Sequence, residues 1–326
     1  MKELLAISLL LITLTCKSQD TCPKVKITDF PKKDLPPSSF SPEKLKFKAS
    51  ENYYYGIGVH IDYVTARYLA FTEMNSSEGE PALGGSTVLM MLYANGYGIK
   101  RDFDISIRLA CGNVGFAPAE VEGRMQHLRD MKAGKSSGVF DVCDDITSGY
   151  MGGYCESIIT DKNKYHRQAI IDSVIGSLPN LDTSIFNKLQ ASATKFFETR
   201  SSNEVDLSGT ARAAFELAES DSLERGFLDK ILKANECAFK KYSADDFKKA
   251  DDELNTTYVK VMHITNTDGW GTVTKAGIKS AEIKWIPYKE AWIAFGKKMC
   301  PEIPEYTWET ILTQERTSQL EQFLPQ

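Results

Sequence analysis

With 326 residues the chain can bury more than one core, and the usual domain of about 100 to 200 residues suggests two or three units. Hydrophobic residues at 42% and aromatics at 10% place it among globular proteins and exclude a disordered chain. A formal charge of −5, without any clustered Lys/Arg run, argues against a phosphate-binding surface and sets nucleic acid aside.

Residues 1–18 begin with Lys2, continue through an apolar run from Leu4 to Thr15 and reach Cys16, the layout of a secretory signal peptide. The run is too short to cross a bilayer as a stable anchor, so an exported and not transmembrane protein is expected, in the bacterial periplasm or at the cell surface. Two processing routes are open: cleavage after Ser18, or lipidation of Cys16, whose flank Thr13-Leu14-Thr15-Cys16 loosely resembles a lipobox. Residues 19–48, with Pro36-Pro37 among serines and lysines, read as an extended linker that buries little apolar surface.

An internal repeat occupies residues 49–136. Tyr55-Gly56-Ile57-Gly58-Val59-His60-Ile61-Asp62-Tyr63 aligns with Asn95-Gly96-Tyr97-Gly98-Ile99-Lys100-Arg101-Asp102-Phe103 at an offset of 40 residues. In each copy glycines suit a turn with positive φ, and an acidic residue precedes a helix as its N-cap. The pattern resembles the Sel-one-like repeat, a relative of the tetratricopeptide repeat, which implies stacked helix pairs in a short solenoid. Ala119–Leu128 is expected to cap the stack as a further helix.

Residues 137–236 read as a diverged copy of the module that follows them. Aligning Cys155 with Cys237 sets Gln168-Ala169 beside Ala250-Asp251, then Leu189-Gln190 beside Ile278-Lys279 and Phe196 beside Trp285. This copy holds 16 Asp/Glu against 10 Lys/Arg and is the acidic one. Asp144-Asp145 could form a carboxylate pair, but adjacent residues point to different faces, and helix capping is the expected role.

In residues 237–326, Ala250, Leu254, Tyr258 and Val261 step by threes and fours, as do Ile278, Ala281, Trp285, Tyr288, Trp292, Phe295 and Met299. The two stretches are predicted to pair as an antiparallel hairpin with the aromatic stripe inward, and Pro287 to kink the second helix or mark its start. Asp251-Asp252-Glu253 falls on the opposite, solvated face. The connection Asn266–Gly271 favours a tight reversal, leaving Trp270 exposed beside Asp268 as a candidate partner-binding pair. The grammar from Cys237 to about Leu320, with Leu254-Asn255, Tyr258, Trp285, Tyr288, Trp292 and Cys300, resembles the LprI-type lysozyme inhibitor domain of bacterial envelope proteins. The resemblance implies a protein partner, a lysozyme, inhibited by occlusion of its cleft, and makes Leu254, Asn255, Tyr258, Trp285 and Cys300 packing or stapling positions.

Export makes disulfides the default reading of the cysteines. Cys237 and Cys300 bracket the predicted hairpin and are expected to pair; Cys155 has Cys143, Cys111 or no partner, with Cys22 also open. No Cys-x-x-Cys occurs and His60, His127, His166 and His263 are scattered, so no metal or cofactor is expected. His263, on the connection, has no evident carboxylate partner. Without a nucleophile beside a base, the sequence points to an all-α binding protein, not an enzyme: a short helical-repeat solenoid followed by two disulfide-stabilised hairpin modules. The alternative is a repeat-based interaction scaffold.

Overall fold

The computed structural model describes residues 25–76, 79–112, 116–178 and 182–325. The expected signal peptide, Cys16 and Cys22 lie outside them. Among the described residues the chain is all-α, with eleven helices and no strand. They are α1 Ser50–Tyr55, α2 Tyr63–Met74, α3 Ser86–Asn95, α4 Phe103–Gly112, α5 Pro118–Lys132, α6 Gly149–Gly176, α7 Thr183–Asn203, α8 Arg212–Asn235, α9 Ala244–His263, α10 Lys275–Met299 and α11 Glu305–Glu321.

The repeat is visible in its hydrogen bonds. Gly56 at φ 76° and Gly96 at φ 72° end α1 and α3 in the left-handed region, where glycine avoids the Cβ clash. Ile57 N–H then donates to Asn52 O, and Tyr97 N–H to Leu92 O. Asp62 and Asp102 donate to the carbonyls of Tyr53 and Tyr93, both at 3.0 Å, and their carboxylates cap α2 and α4. Every partner recurs at the 40-residue offset seen in the sequence. The copies stack through the second turn. Tyr63 and Tyr97 lie face to face at 4.6 Å, and Arg67 donates to the Gly98 carbonyl. A Cβ on Gly98 would come within 2.9 Å of the Tyr63 Cβ, so only glycine permits this approach. As expected, α5 extends the stack against α4.

The linker expectation fails for residues 25–48. They form a strap of three 3-10 turns laid on the repeats. Phe30 is buried between Phe71 and Tyr93, and buried Asp34 accepts the Tyr93 hydroxyl at 3.1 Å. Apolar residues are spaced among the prolines: Val25, Ile27, Leu35, Phe40, Leu45 and Phe47 all pack on the repeat core. Proline also lowers the entropy lost on ordering such a strap.

Two cores meet within α6. Met151 and Ile158 belong to the repeat core, while Ile171 belongs to a second core running to Phe323. This second core joins residues of both expected modules, and its pairing differs from the predicted hairpin. α9 packs on α11, and the stripe of α10 packs on α7. The reason is area: α9 buries only Ala250, Leu254, Thr257 and Val261, too narrow a strip to cover two tryptophans, whereas α7 offers Phe186, Leu189, Phe196 and Phe197. The stripe is core as expected, with Trp285, Tyr288, Trp292 and Phe295 all at or below 4% exposure. Helix α10 continues through Pro287, which lies on its solvent face, where water can meet the freed carbonyl.

The arrangement is pseudo-symmetric. α6 packs alongside α8 as α9 does alongside α11, and α7 crosses α10 antiparallel between the two trios. Phe196 stacks on Tyr288 at 5.3 Å. The Phe186–Phe295 contact is nearly mirrored by that of Asn203 with Gly277. These contacts run α7 and α10 antiparallel and set Phe196 against Tyr288.

Candidate partner-binding loop

The connection between α9 and α10 is held rigid by the loop between α7 and α8. Gly271, at φ 60°, turns its Cα against the Asp206 carboxylate, in space that any side chain would fill. Asp206 accepts from the N–H groups of Ser208 at 3.0 Å and Thr272 at 3.1 Å, and Thr272 Oγ1 accepts from Leu207 N–H at 2.7 Å. These bonds hold the Asp206 carboxyl below its ordinary pKa, the Ser208 amide first. At the apex a 3-10 turn, Asp268–Trp270, presents Asp268 to solvent, its N–H donating to Asn266 Oδ1.

Trp270 corrects its expectation. It is half-buried, its ring 5.4 Å from Phe323 and its indole N–H donating to the Phe323 carbonyl at 3.2 Å. The glycines on either side made it look free, but the chain end after α11 covers it. Asp268 and Trp270 therefore divide the work: one is displayed and the other anchors the turn. His263 is exposed, its Nδ1 2.7 Å from the Val259 carbonyl oxygen.

The cysteines fall where a staple is useful. Cys143 pairs with Cys155 and Cys237 with Cys300, at Cα separations of 5.8 and 5.6 Å. Cys111 is disulfide-bonded as well. The Cys237–Cys300 bridge, beside the Glu302 carboxylate, is the one place among the described residues where three potential metal-ligating side chains gather, and its thiols are consumed by the disulfide.

Along the repeats, the face formed by α1 and α3 is filled by the chain itself. Phe140 is fully buried there, and the Asn95 amide clamps its backbone, accepting from the N–H and donating to the carbonyl, both at 2.8 Å. Asp141 accepts the Tyr55 hydroxyl and caps the short turn that contains Asp144-Asp145. Asp145 pairs with His127 at 3.1 Å and Asp144 is exposed; neither caps a helix, because Asp141 caps the short turn and Ser148 caps α6, which corrects the capping expectation.

The sequence reading missed a buried charge network at the centre of the second core. Arg316 is fully buried, donating to both oxygens of buried Glu204 at 2.9 and 2.6 Å and to Glu282 at 2.8 Å. Burial works against its charge, but the two glutamates outweigh it and hold its pKa above the ordinary value. Arg200, beside Glu204 and Glu219, is pushed down to about 10 by burial and by Arg316. On the other side of α8, buried Arg167 bridges Asp221 and Glu224 at 2.6 and 2.5 Å. The signal was available: Arg316 stands between Leu312 and Leu320 at helical spacing, a charge on an apolar face. Comparison with family models, with curated proteins and with solved structures finds no match to this chain.

Proposed function

We propose that this chain is an exported, disulfide-stapled helical protein that binds another macromolecule, and that its target is a lysozyme, inhibited by occlusion of the cleft. The observation that carries the reading is the latched loop. A binding element gains affinity when its ordering is completed before the encounter, and Asp206, Gly271 and Trp270 hold Asp268 at a fixed apex. The intramolecular cysteine pairs support export, because such bonds persist in oxidising compartments. Helices among the described residues include none long and apolar enough to cross a membrane, and anchoring would rest on lipidation of Cys16. Intact mass of the mature protein distinguishes an acylated Cys16 from cleavage after Ser18.

Lysozymes are commonly basic, and acidic groups facing solvent would steer them. Much of the acid in residues 137–236 is turned inward, since Glu204, Glu219, Asp221 and Glu224 contact arginines. Asp161, Asp172, Asp182, Asp206 and Asp229 remain on the surface. The alternative, a scaffold that recruits partners through its repeats, must use their outer surface, where Ile61 and Val64 are exposed, because Phe140 fills the α1/α3 face. Calorimetric titration with a basic lysozyme tests the leading reading. Binding should weaken with salt and fall further for Asp268→Lys; affinity indifferent to both would assign recognition elsewhere.

A further inference from the structure

Helices α6 and α8 begin side by side, brought together by residues without bulk. A Cβ on Gly149 would fall 2.5 Å from the Ala211 nitrogen, and one on Gly153 3.0 Å from the Ala213 Cβ. Beside this seam opens a cavity of about 490 Å³, within the range of small-molecule sites. Its wall carries Tyr150, Tyr154, Ser157, Thr210 and Arg212, and no carboxylate. The two tyrosines are 63% and 38% exposed, with rings 5.4 Å apart at 75° and hydroxyls 3.2 Å apart. Gly209, with nothing within 4 Å of where a Cβ would lie, adds no bulk to the wall.

We propose that this cavity is a glycan-binding subsite for one or two pyranose rings, with Tyr150 and Tyr154 as the stacking platform and Arg212 reading a carboxylate on the sugar. A pyranose has a C–H face that packs on an aromatic ring and a rim of hydroxyls that needs both donors and acceptors. The tyrosine rings meet the first need and the Tyr, Ser and Thr hydroxyls the second. Arg212 can pair bidentately with a carboxylate, a stronger contact than the hydrogen bonds it gives to the hydroxyls of a neutral sugar. The platform is also preorganised. The tyrosine hydroxyls share a hydrogen bond, and Cys155, next to Tyr154, is tied to Cys143. This site does not depend on the lysozyme reading and contains none of the loop residues that carry it.

Saturation-transfer NMR on the oxidised full-length protein tests it, using an N-acetylglucosamine oligomer as the neutral probe and a glucuronate-containing oligosaccharide as the acidic one. Transfer to sugar ring protons is expected from both, with tighter binding of the acidic probe. Tyr154→Ala and Tyr150→Ala should each weaken binding about tenfold. Arg212→Gln should weaken the acidic probe more than the neutral one and so remove the preference. Since both tyrosines are exposed, the melting curves should not move; Ser157→Trp, which fills the cavity and spares the platform, should abolish binding independently. Absence of transfer at millimolar probe, or transfer unchanged in the tyrosine and Ser157 variants, overturns the proposal. So does a concentration-dependent rise in mass that the tyrosine variants abolish, which would assign the patch to self-association.

Discussion

Two buried arginines in this chain should behave in opposite ways when made apolar. Arg316→Met strands Glu204 in the core with only Arg200 beside it, and a broken buried pair is worth about 3 to 5 kcal/mol. Arg124 is fully buried over the Phe116 ring at 4.1 Å, and none of its nitrogens has a hydrogen-bond partner among the described residues. The nearest acids are already served: Asp145 by His127, and Glu120 by the amides of Ala117, Thr147 and Ser148. Arg124→Met should therefore leave the urea midpoint unchanged or raise it, while Arg316→Met lowers it sharply. Asp221 gives a pH signature. Burial pushes its carboxyl up, but Arg167, Arg225 and Asn163 outweigh burial and hold it below the ordinary value. A lowered folded pKa means that its stabilisation is complete above the unfolded value of about 3.9 and is lost as pH falls through the folded one. Asp221→Asn should thus be less stable than the parent at neutral pH, and the gap should close in acid; a gap independent of pH would contradict the assignment. Such pairs are hard to foresee from sequence because each partner lies far along the chain, as Glu204 does from Arg316.

At the scale of elements, what was local was legible. The repeat turns were readable because Gly56, Gly58, Gly96, Gly98, Asp62 and Asp102 answer to backbone geometry within a few residues. Gly98→Ala should therefore be severe, since it combines φ 62° with the Tyr63 approach, whereas Gly134→Ala, at φ 70° with nothing within 4 Å, meets backbone strain alone, about 1 kcal/mol. Thermal melts of the two variants check the difference. The face of α10 was equally legible from its periodicity; its partner was not, because a stripe says which side is buried and not against what. Adjacency in sequence favoured α9, and the aromatic area of α7 decided otherwise. The same limit hid the docking of Trp270, whose cover comes from Phe323.

Across the whole molecule, α6 joins the two cores, and the two bridges with both ends described fasten different places. Cys143–Cys155 closes a separation of 12 residues where the repeats hand over to α6; Cys237–Cys300 closes one of 63 within the second core. Chain entropy gives about 3 and about 4 kcal/mol for loops of these lengths. Replacing Cys237 and Cys300 by alanine should lower the denaturation midpoint more than replacing Cys143 and Cys155, and equal losses would count against the entropic account. Both staples would persist in the oxidising compartment that the proposed export implies. The most direct measurement is turbidity of a peptidoglycan suspension under lysozyme with the oxidised protein added. The account predicts that lysis slows in proportion to added protein and that Asp268→Lys relieves the effect. Lysis at an unchanged rate under a large molar excess, across several lysozyme types, would contradict it.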